Sequence, residues 1–188
     1  MTENNPEYNN YRIPVPTRFD EVFTHFYFAE NKSGESISKT LLPSYQTILI
    51  FNFGAKPYLL TKQNTRIEVD KYLMIGPIKQ AFDYVLPPNT EMLTINFKDD
   101  AFYRFFGSTA ISEHLPMNPD ELVNDDCFGI LWYELSKMND TNERVNHILE
   151  FSEPYLVNRN KIAEQLSNFK EQSLNPIKWV ASQNSQTE

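Results

Sequence analysis

The sequence predicts an α+β fold, in which an antiparallel β-barrel or sandwich is followed by a C-terminal α-helical segment. Two observations predict this class. Between residues 22 and 98, about eight short apolar runs follow one another at roughly 8–12-residue spacing with turn residues between them, which is typical of antiparallel sheets rather than βαβ units. After residue 98, apolar residues recur at three- and four-residue steps, which indicates amphipathic helices.

The strongest predicted strand is residues 47–53, which is apolar at nearly every position. A strand of this kind has both faces covered. One face carries Thr47, Leu49, Phe51 and Phe53, and the other carries Ile48, Ile50 and Asn52. Because both faces are apolar, the pattern leaves open which one points inward. The other predicted strands are 22–28, 37–42, 58–60, a run around Ile67 after a hairpin tip at Gln63-Asn64, 72–78, 82–86 and 93–97.

Several helices are predicted, the first three from capping residues and apolar spacing. The first covers 101–106, with Asp99 and Asp100 before it and Gly107 at its end. The second covers 119–138 and is broken near Asp125-Asp126. The third begins at 141–143, and Pro154 is expected to kink or end it near residue 153. Residues 158–172 are polar with a helical pattern, and a last helix opens at Asn175-Pro176.

Composition argues against several classes of protein. The net charge is −8 and the basic residues form no cluster, so the chain as it stands lacks the basic face that a nucleic acid requires. The single cysteine, Cys127, permits no internal disulfide. Residues 1–10 have neither the basic flank nor the apolar core of a signal peptide, and no apolar run is long enough to span a bilayer. We therefore expect a soluble, cytoplasmic chain without membrane contact.

The residues that could carry out catalysis are sparse. A β-barrel metal site needs histidines and a carboxylate on neighbouring strands, but His25 stands alone on its strand, and His114 and His147 lie in the later part. The chain has no nucleophile motif and no glycine-rich phosphate loop among its five glycines. We therefore expect no enzyme activity, no catalytic residues, no metal and no cofactor.

Aromatic residues are abundant, with 14 Phe, 10 Tyr and 2 Trp. Those on the strands are compatible with a filled core or with a small-molecule pocket inside the barrel. The candidate pocket residues are Phe51, Phe53, Tyr58, Tyr84 and Phe97. In the predicted helix 126–138, Phe128, Trp132 and Tyr133 present more aromatic surface than one core needs. They are the candidate residues of a homodimer interface.

Three blocks of sequence, taken in order, resemble the N-terminal part of AraC-family transcription regulators. The first is residues 41–54, LLPSYQTILIFNFG, and the second is residues 74–77, MIGP. The third is the strand 93–97, LTINF, followed by AFYRFFG at 101–107. The last residues, 177–188, IKWVASQNSQTE, resemble the opening of that family's first helix-turn-helix, with Ala181 at the small position and Thr187 at the cap of the recognition helix.

The resemblance implies a cupin-like barrel that senses an effector or dimerises, ahead of a DNA-binding domain that this chain enters and does not complete. The implied divisions are a disordered tail (1–10), the β-barrel (11–107), a helical dimerisation or linker region (108–172) and a truncated helix-turn-helix (173–188). The implied partners are a small-molecule effector, a second copy of the chain, and DNA through the missing domain alone. The alternatives are a ligand-free dimerisation module and a cupin-type enzyme.

Overall fold

The computed structural model describes residues 7–60, 65–98, 101–102, 118–123 and 125–156. The chain divides into two compact units, Met1–Leu149 and Glu150–Glu188, and the contacts described below belong to the first. That unit contains two antiparallel sheets followed by helices, so the fold class predicted from the sequence is confirmed. No helix in the described ranges has the length and apolar character needed to cross a bilayer.

Nine strands form the two sheets in the described residues. Sheet 1 has five strands in the order β1-β2-β9-β4-β7, and sheet 2 has four in the order β3-β8-β5-β6. Every pairing is antiparallel. The strands are β1 Tyr8–Ile13, β2 Phe23–Asn31, β3 Ile37–Leu41, β4 Ile48–Asn52, β5 Tyr58–Leu60, β6 Arg66–Glu68, β7 Tyr72–Ile75, β8 Phe82–Leu86 and β9 Thr90–Phe97.

Strand β1 corrects the expectation of a disordered tail for residues 8–10, whereas residues 1–6 of that expected tail lie outside the described residues. Its residues 8–13 pair one by one with residues 31–26 of β2. The run reads YNNYRI, and its asparagines are unusual in a strand. The strand is stabilised by pairing with the β2 backbone and by Tyr11, whose ring lies 5.2 Å from that of Phe28. Tertiary pairing therefore overrides the low strand propensity of asparagine here.

The helices follow the strands. A short 3₁₀ helix, Thr17–Phe19, lies between β1 and β2. Helix α1 is Pro119–Val123, α2 is Cys127–Leu135, and residues 141–156 form α3. The expected break near Asp125-Asp126 is confirmed, and α3 continues past Pro154. Of the expected helix 101–106, residues 101–102 are helical and the rest lie outside the described residues.

Sheet 1 has apolar side chains on both of its faces. Strand β4 is buried along its whole length, as predicted, and β9 is buried at every position except Glu91. Side chains of one parity pack towards sheet 2, in a cluster that includes Ile48, Ile50 and Met92. Those of the other parity, such as Phe97, pack on the opposite face, where the Phe97 and Phe102 rings lie 5.1 Å apart and the Phe102 and Phe128 rings 5.9 Å apart.

Two charged side chains fix the helices of the first unit to sheet 1. Arg144 in α3 is buried, donates to the carbonyls of Leu135 and Met138, and pairs with the Glu91 carboxylate of β9. Its guanidinium also stacks on the ring of Phe53 at 3.8 Å. Because the donors of this buried cation are paired and stacked, it can lie inside the protein without an unpaired charge.

Several sequence-based expectations fall on residues that the structure does not describe. These are the hairpin tip at Gln63-Asn64, the end of the barrel near residue 107, the linker up to residue 117 and everything after residue 156, including the start of the helix-turn-helix. The division of the chain at residues 107 and 172 remains a prediction.

Candidate ligand-binding site

A cavity of about 430 Å³ lies between the two sheets. Sheet 1 contributes residues of one parity from β1, β2, β9 and β4, because alternate side chains on a strand point to the same face. The volume falls within the range of about 300–1,000 Å³ that is usual for small-molecule sites. The exposed lining residues, Arg12, Thr40 and 42–44, mark the opening to solvent.

One wall of the cavity is apolar and belongs to both sheets. Strand β4 supplies Ile48 and Ile50, and β9 supplies Met92. Sheet 2 and its loops supply further apolar lining residues, which are Leu41, Pro57, Leu59, Val69 and Phe82 inside the cavity and Leu42 and Pro43 at its opening. These side chains can bury an apolar ligand body without a polar partner.

The other wall is polar and consists of two neighbouring rows on sheet 1. In one row His25 of β2 lies opposite Asn96 of β9. In the next row Arg12 of β1 lies opposite Tyr27, and Tyr27 lies opposite Thr94. Directly opposed residues in antiparallel strands have their Cβ atoms about 4.5–5.5 Å apart, so the two rows form a continuous polar patch.

Asn96 differs from the two other buried asparagines on these strands. Asn31 donates to the carbonyls of Glu35, Leu86 and Pro87, and Asn52 donates to those of Gly54, Val69 and Asp70. The Asn96 side chain is 9% exposed and makes no hydrogen bond to any described residue. The hydroxyl of Thr94 in the next row likewise has no partner among the described residues. Both groups face the cavity, and both are available to a ligand.

Three phenols lie together at one side of the cavity. The hydroxyl of Tyr27 lies 3.3 Å from that of Tyr8 and also hydrogen-bonds Tyr84. Burial raises the pKa of Tyr84 above its ordinary value, and the contact with Tyr27 raises it further. Burial likewise raises the pKa of Tyr8. Tyr8 and Tyr84 are therefore neutral at physiological pH, and the hydroxyls of Tyr27 and Tyr84 can give or accept hydrogen bonds in the cavity.

Arg12 and His25 form the basic part of the lining. The imidazole Nδ1 of His25 lies 3.0 Å from the Thr24 hydroxyl oxygen, and that hydroxyl also accepts from the Gln46 amide. Burial lowers the pKa of His25 below its ordinary value, and the positive charge of Arg12 lowers it further. His25 is therefore mainly neutral near pH 7, and Arg12 carries the positive charge at the mouth.

Of the five candidate pocket residues, Tyr84 lines the cavity and the other four lie elsewhere. Phe51 and Phe97 are on the opposite face of sheet 1, fully buried. Phe53 stacks under Arg144, and the ring of Tyr58 lies 3.9 Å from the Arg66 guanidinium. The cavity is lined by the other parity of β4 and β9, so the expected register is off by one residue.

The polar wall was not predicted from the sequence. Arg12, Tyr27, Thr94 and Asn96 were not candidates, and His25 was considered as a metal ligand alone. One signal was present, because His25 and Tyr27 have the same parity on a strand whose other face is Phe26 and Phe28.

The three candidate dimer residues do not share one face of α2. Phe128 is buried with Leu131 and Leu135 on the inner face of the helix, so it is not available to a partner. The Trp132 indole N–H donates to the Asn52 carbonyl at 2.8 Å. Tyr133 is 56% exposed, and beside it Ile130, which the sequence analysis did not select, is 58% exposed.

The described residues contain no group of three or more His, Cys, Asp or Glu side chains that could hold a metal ion. The expectation that the chain has no metal, cofactor or catalytic centre remains a prediction.

Comparisons with known proteins give a family, together with distant likenesses to solved structures. Residues 12–118, more than half of the chain, match the family described as a domain of unknown function (DUF6597). Among solved structures, an RmlC-like cupin protein from Desulfovibrio desulfuricans is 10% identical with a TM-score of 0.39, the match covering 52% of this chain and 88% of that one. A putative ethanolamine utilization protein from Salmonella typhimurium is 9% identical with a TM-score of 0.36, covering 50% and 73%. The likeness concerns the fold alone. No curated protein sequence matches the chain.

Proposed function

The chain belongs to the DUF6597 family, and from that premise we propose that its β-sandwich senses a small apolar or amphipathic effector. In this proposal the chain is the regulatory part of an AraC-type transcription regulator, which contacts DNA through a C-terminal domain of that type. The resemblance of residues 41–54, 74–77 and 93–107 to AraC-family regulators supports the second half of the proposal. No catalytic step belongs to it.

The cavity and its unpartnered polar groups carry the proposal. Polar groups that line an open cavity without a partner in the protein are left to bond with water or with a ligand. Asn96 and Thr94 lie side by side in the cavity with no described partner, although Asn31 and Asn52 on the same sheet are fully bonded. A ligand that gives and accepts hydrogen bonds there would satisfy both groups.

Sheet 1 offers a physical route from such a ligand to the helices. Ile48 and Ile50 of β4 line the cavity, whereas Leu49 and Phe51 point to the opposite face. At the end of the same strand the Asn52 carbonyl accepts the hydrogen bond from Trp132 of α2. A ligand that favours one position of β4 over another would therefore bias α2, and a ligand regulates when it binds two states unequally.

A thermal-shift screen of this chain against small metabolites tests the proposal. A ligand at about 100 times its dissociation constant adds about 2.7 kcal/mol to the free energy of unfolding. We expect reproducible hits whose stabilisation is lost in Ser44→Trp, because the exposed Ser44 lines the opening and the indole would obstruct it. The matched control is Ser38→Trp, an exposed serine on β3 that does not line the cavity. A screen without hits, or hits unaffected by Ser44→Trp, would contradict the proposal.

The exposed pair Ile130 and Tyr133 favours a second candidate function, a homodimerisation module that binds no ligand. The two residues are three apart on α2, so they share a face of the helix. This candidate predicts a dimer at micromolar concentration together with an absence of ligands, so a dimer on a sizing column with no hit in the thermal-shift screen distinguishes it.

A further inference from the structure

We propose that the effector is a small carboxylic acid with an apolar body, whose carboxylate lies against Arg12, His25 and Asn96 at the mouth of the cavity. The inference rests on the proposed function, because it names the ligand class of the same cavity.

The charge of the lining is the first observation. The described residues that line the cavity include one arginine and one histidine, and none of them is Asp, Glu or Lys. The whole chain carries a net charge of −8, so a lining with a net positive charge runs against the composition. The nearby carboxylate of Asp83 accepts a hydrogen bond from the Thr40 hydroxyl at 2.6 Å. The Asp83 side chain is outside the lining, so the charged side chain of the lining itself is the cation Arg12, which attracts an anion.

Arg12 is available to such an anion. It forms no ion pair within the part of the chain that the structure describes. It lies on β1 and lines the cavity beside other polar groups. Four other basic side chains near the sheets are paired with a carboxylate, namely Lys32 with Glu30, Lys56 with Asp70, Arg66 with Glu68, and Arg144 with Glu91. Lys39 and Lys71 instead lie over the rings of Tyr8 and Trp132. A guanidinium that faces a cavity without a carboxylate of its own can take one from a ligand.

The positions of the donors suit a carboxylate. His25 and Asn96 are direct cross-strand partners, and Arg12 is the diagonal neighbour of His25 on β1, at a distance of about 7–8 Å that an arginine side chain spans. A guanidinium and an amide NH₂ have N–H donors to offer, and a carboxylate accepts up to about four hydrogen bonds. The neutral imidazole of His25 has one N–H, which is on Nε2 and available to a ligand in the tautomer whose Nδ1 accepts from Thr24. An ammonium group at this position would instead meet the positive charge of Arg12.

The apolar wall determines the chemical character of the rest of the ligand. From the row of His25 and Asn96 the lining passes directly to Ile48 on β4, and from Thr94 to Ile50. Beyond them lie Leu59, Val69 and Met92, which are buried. A molecule with a charged head at the mouth and an apolar body against these side chains matches both walls of the cavity.

Titration calorimetry at low salt with three bodies and three head groups tests the inference. The probes are octanoate, phenylacetate and cinnamate, each beside the primary amide and the amine of the same body. We expect at least one acid to bind about tenfold more tightly than its amide, and the amines to bind more weakly still. The preference for the acid should weaken as salt is raised, because the mouth is exposed.

Arginine variants separate the charge effect from a general loss of binding. In Arg12→Gln the acid and its amide should bind equally, and the amide should bind as it does to the wild type. Arg18→Gln, an exposed arginine on the 3₁₀ helix that does not line the cavity, should keep the preference for the acid. Equal binding of acid and amide to the wild type would overturn the inference, as would tighter binding of an amine.

The failures of the two proposals can be told apart. If neutral metabolites stabilise the chain and none of the acids binds, the carboxylate assignment falls and the sensing function stands. If neither the probes nor any metabolite binds, both fall.

Discussion

At the scale of the residue, the cluster of Tyr8, Tyr27 and Tyr84 is the feature that mutation and a change of pH test most directly. The hydroxyls of Tyr8 and Tyr84 both contact that of Tyr27, and burial raises the pKa values of Tyr8 and Tyr84. The pKa of Tyr72, beside Asp120, is raised by burial and by that carboxylate to about 12. In Tyr8, Tyr72 and Tyr84 the folded protein favours the neutral phenol.

These raised pKa values predict a loss of stability at alkaline pH. Above the ordinary tyrosine pKa of about 10, the unfolded chain releases phenolic protons that the folded chain retains, so the unfolded state binds fewer protons and the free energy of unfolding falls as pH rises. Below pH 10 the contribution is fully present. In Tyr84→Phe we expect a shallower fall between about pH 9.5 and 11, measured by urea unfolding at several pH values.

Tyr45→Phe is the control for the loss of one phenol, because Tyr45 is 66% exposed. If Tyr84→Phe had the same pH dependence as the Tyr45→Phe variant, the buried phenol would not be responsible for the alkaline loss.

Single residues of the polar wall could not be assigned from the sequence. Asn31, Asn52 and Asn96 look alike in a strand, and what separates them is whether distant backbone carbonyls reach their amides. Asn31 meets carbonyls 55 and 56 residues away, at Leu86 and Pro87. Such partners depend on the closure of loops between the two sheets, which no local pattern records.

At the scale of the element, helix α2 begins with help from its neighbour. Asp126, at the position that precedes the helix, makes no capping hydrogen bond with its side chain. The carboxylate of Asp120 in α1 instead accepts from the backbone N–H groups of Phe128 and Gly129 at 2.7 and 3.1 Å, and from the Tyr72 hydroxyl at 2.7 Å. One buried carboxylate thus caps α2 and joins it to β7.

Asp120→Ala should lower the free energy of unfolding by about 2 kcal/mol, because it removes a helix cap and leaves buried donors without an acceptor. Chemical denaturation followed by circular dichroism measures this. The matched control is Asp126→Ala, one position before α2, which should change the free energy by less than about 0.5 kcal/mol. Equal losses in the two variants would show that the charge of this segment matters and the cap does not.

The elements themselves were largely predictable. Strong β propensity and turn residues locate eight of the nine strands of the described residues, and Asp125-Asp126 marks the break between α1 and α2. Strand β1 was missed, because its asparagines are strand-poor and its stability comes from β2. The face of β4 that lines the cavity could not be chosen, because helices cover one side of that strand and sheet 2 the other, so both faces are apolar.

At the scale of the whole molecule, the exposed pair on α2 bears on the oligomeric state. If the chain forms a homodimer through Ile130 and Tyr133, light scattering coupled to a sizing column should give twice the monomer mass at micromolar concentration. Ile130→Glu should then give a monomer, because a charge would be buried at the interface.

Tyr45→Glu is the control for this experiment, since it adds the same charge at a site that is 66% exposed and does not lie on α2. A wild-type protein that is monomeric at every concentration would contradict the dimer, as would an Ile130→Glu variant that remains dimeric.

Sheet 1 separates the cavity from the helices of the first unit. Successive residues of β4 and β9 alternate between the two sides. Every second position can therefore change to suit a new ligand while its neighbours continue to hold the helices. Within one strand, one set of alternate positions determines the shape of the cavity and the other set determines the packing against the helices, and the two sets can be substituted separately.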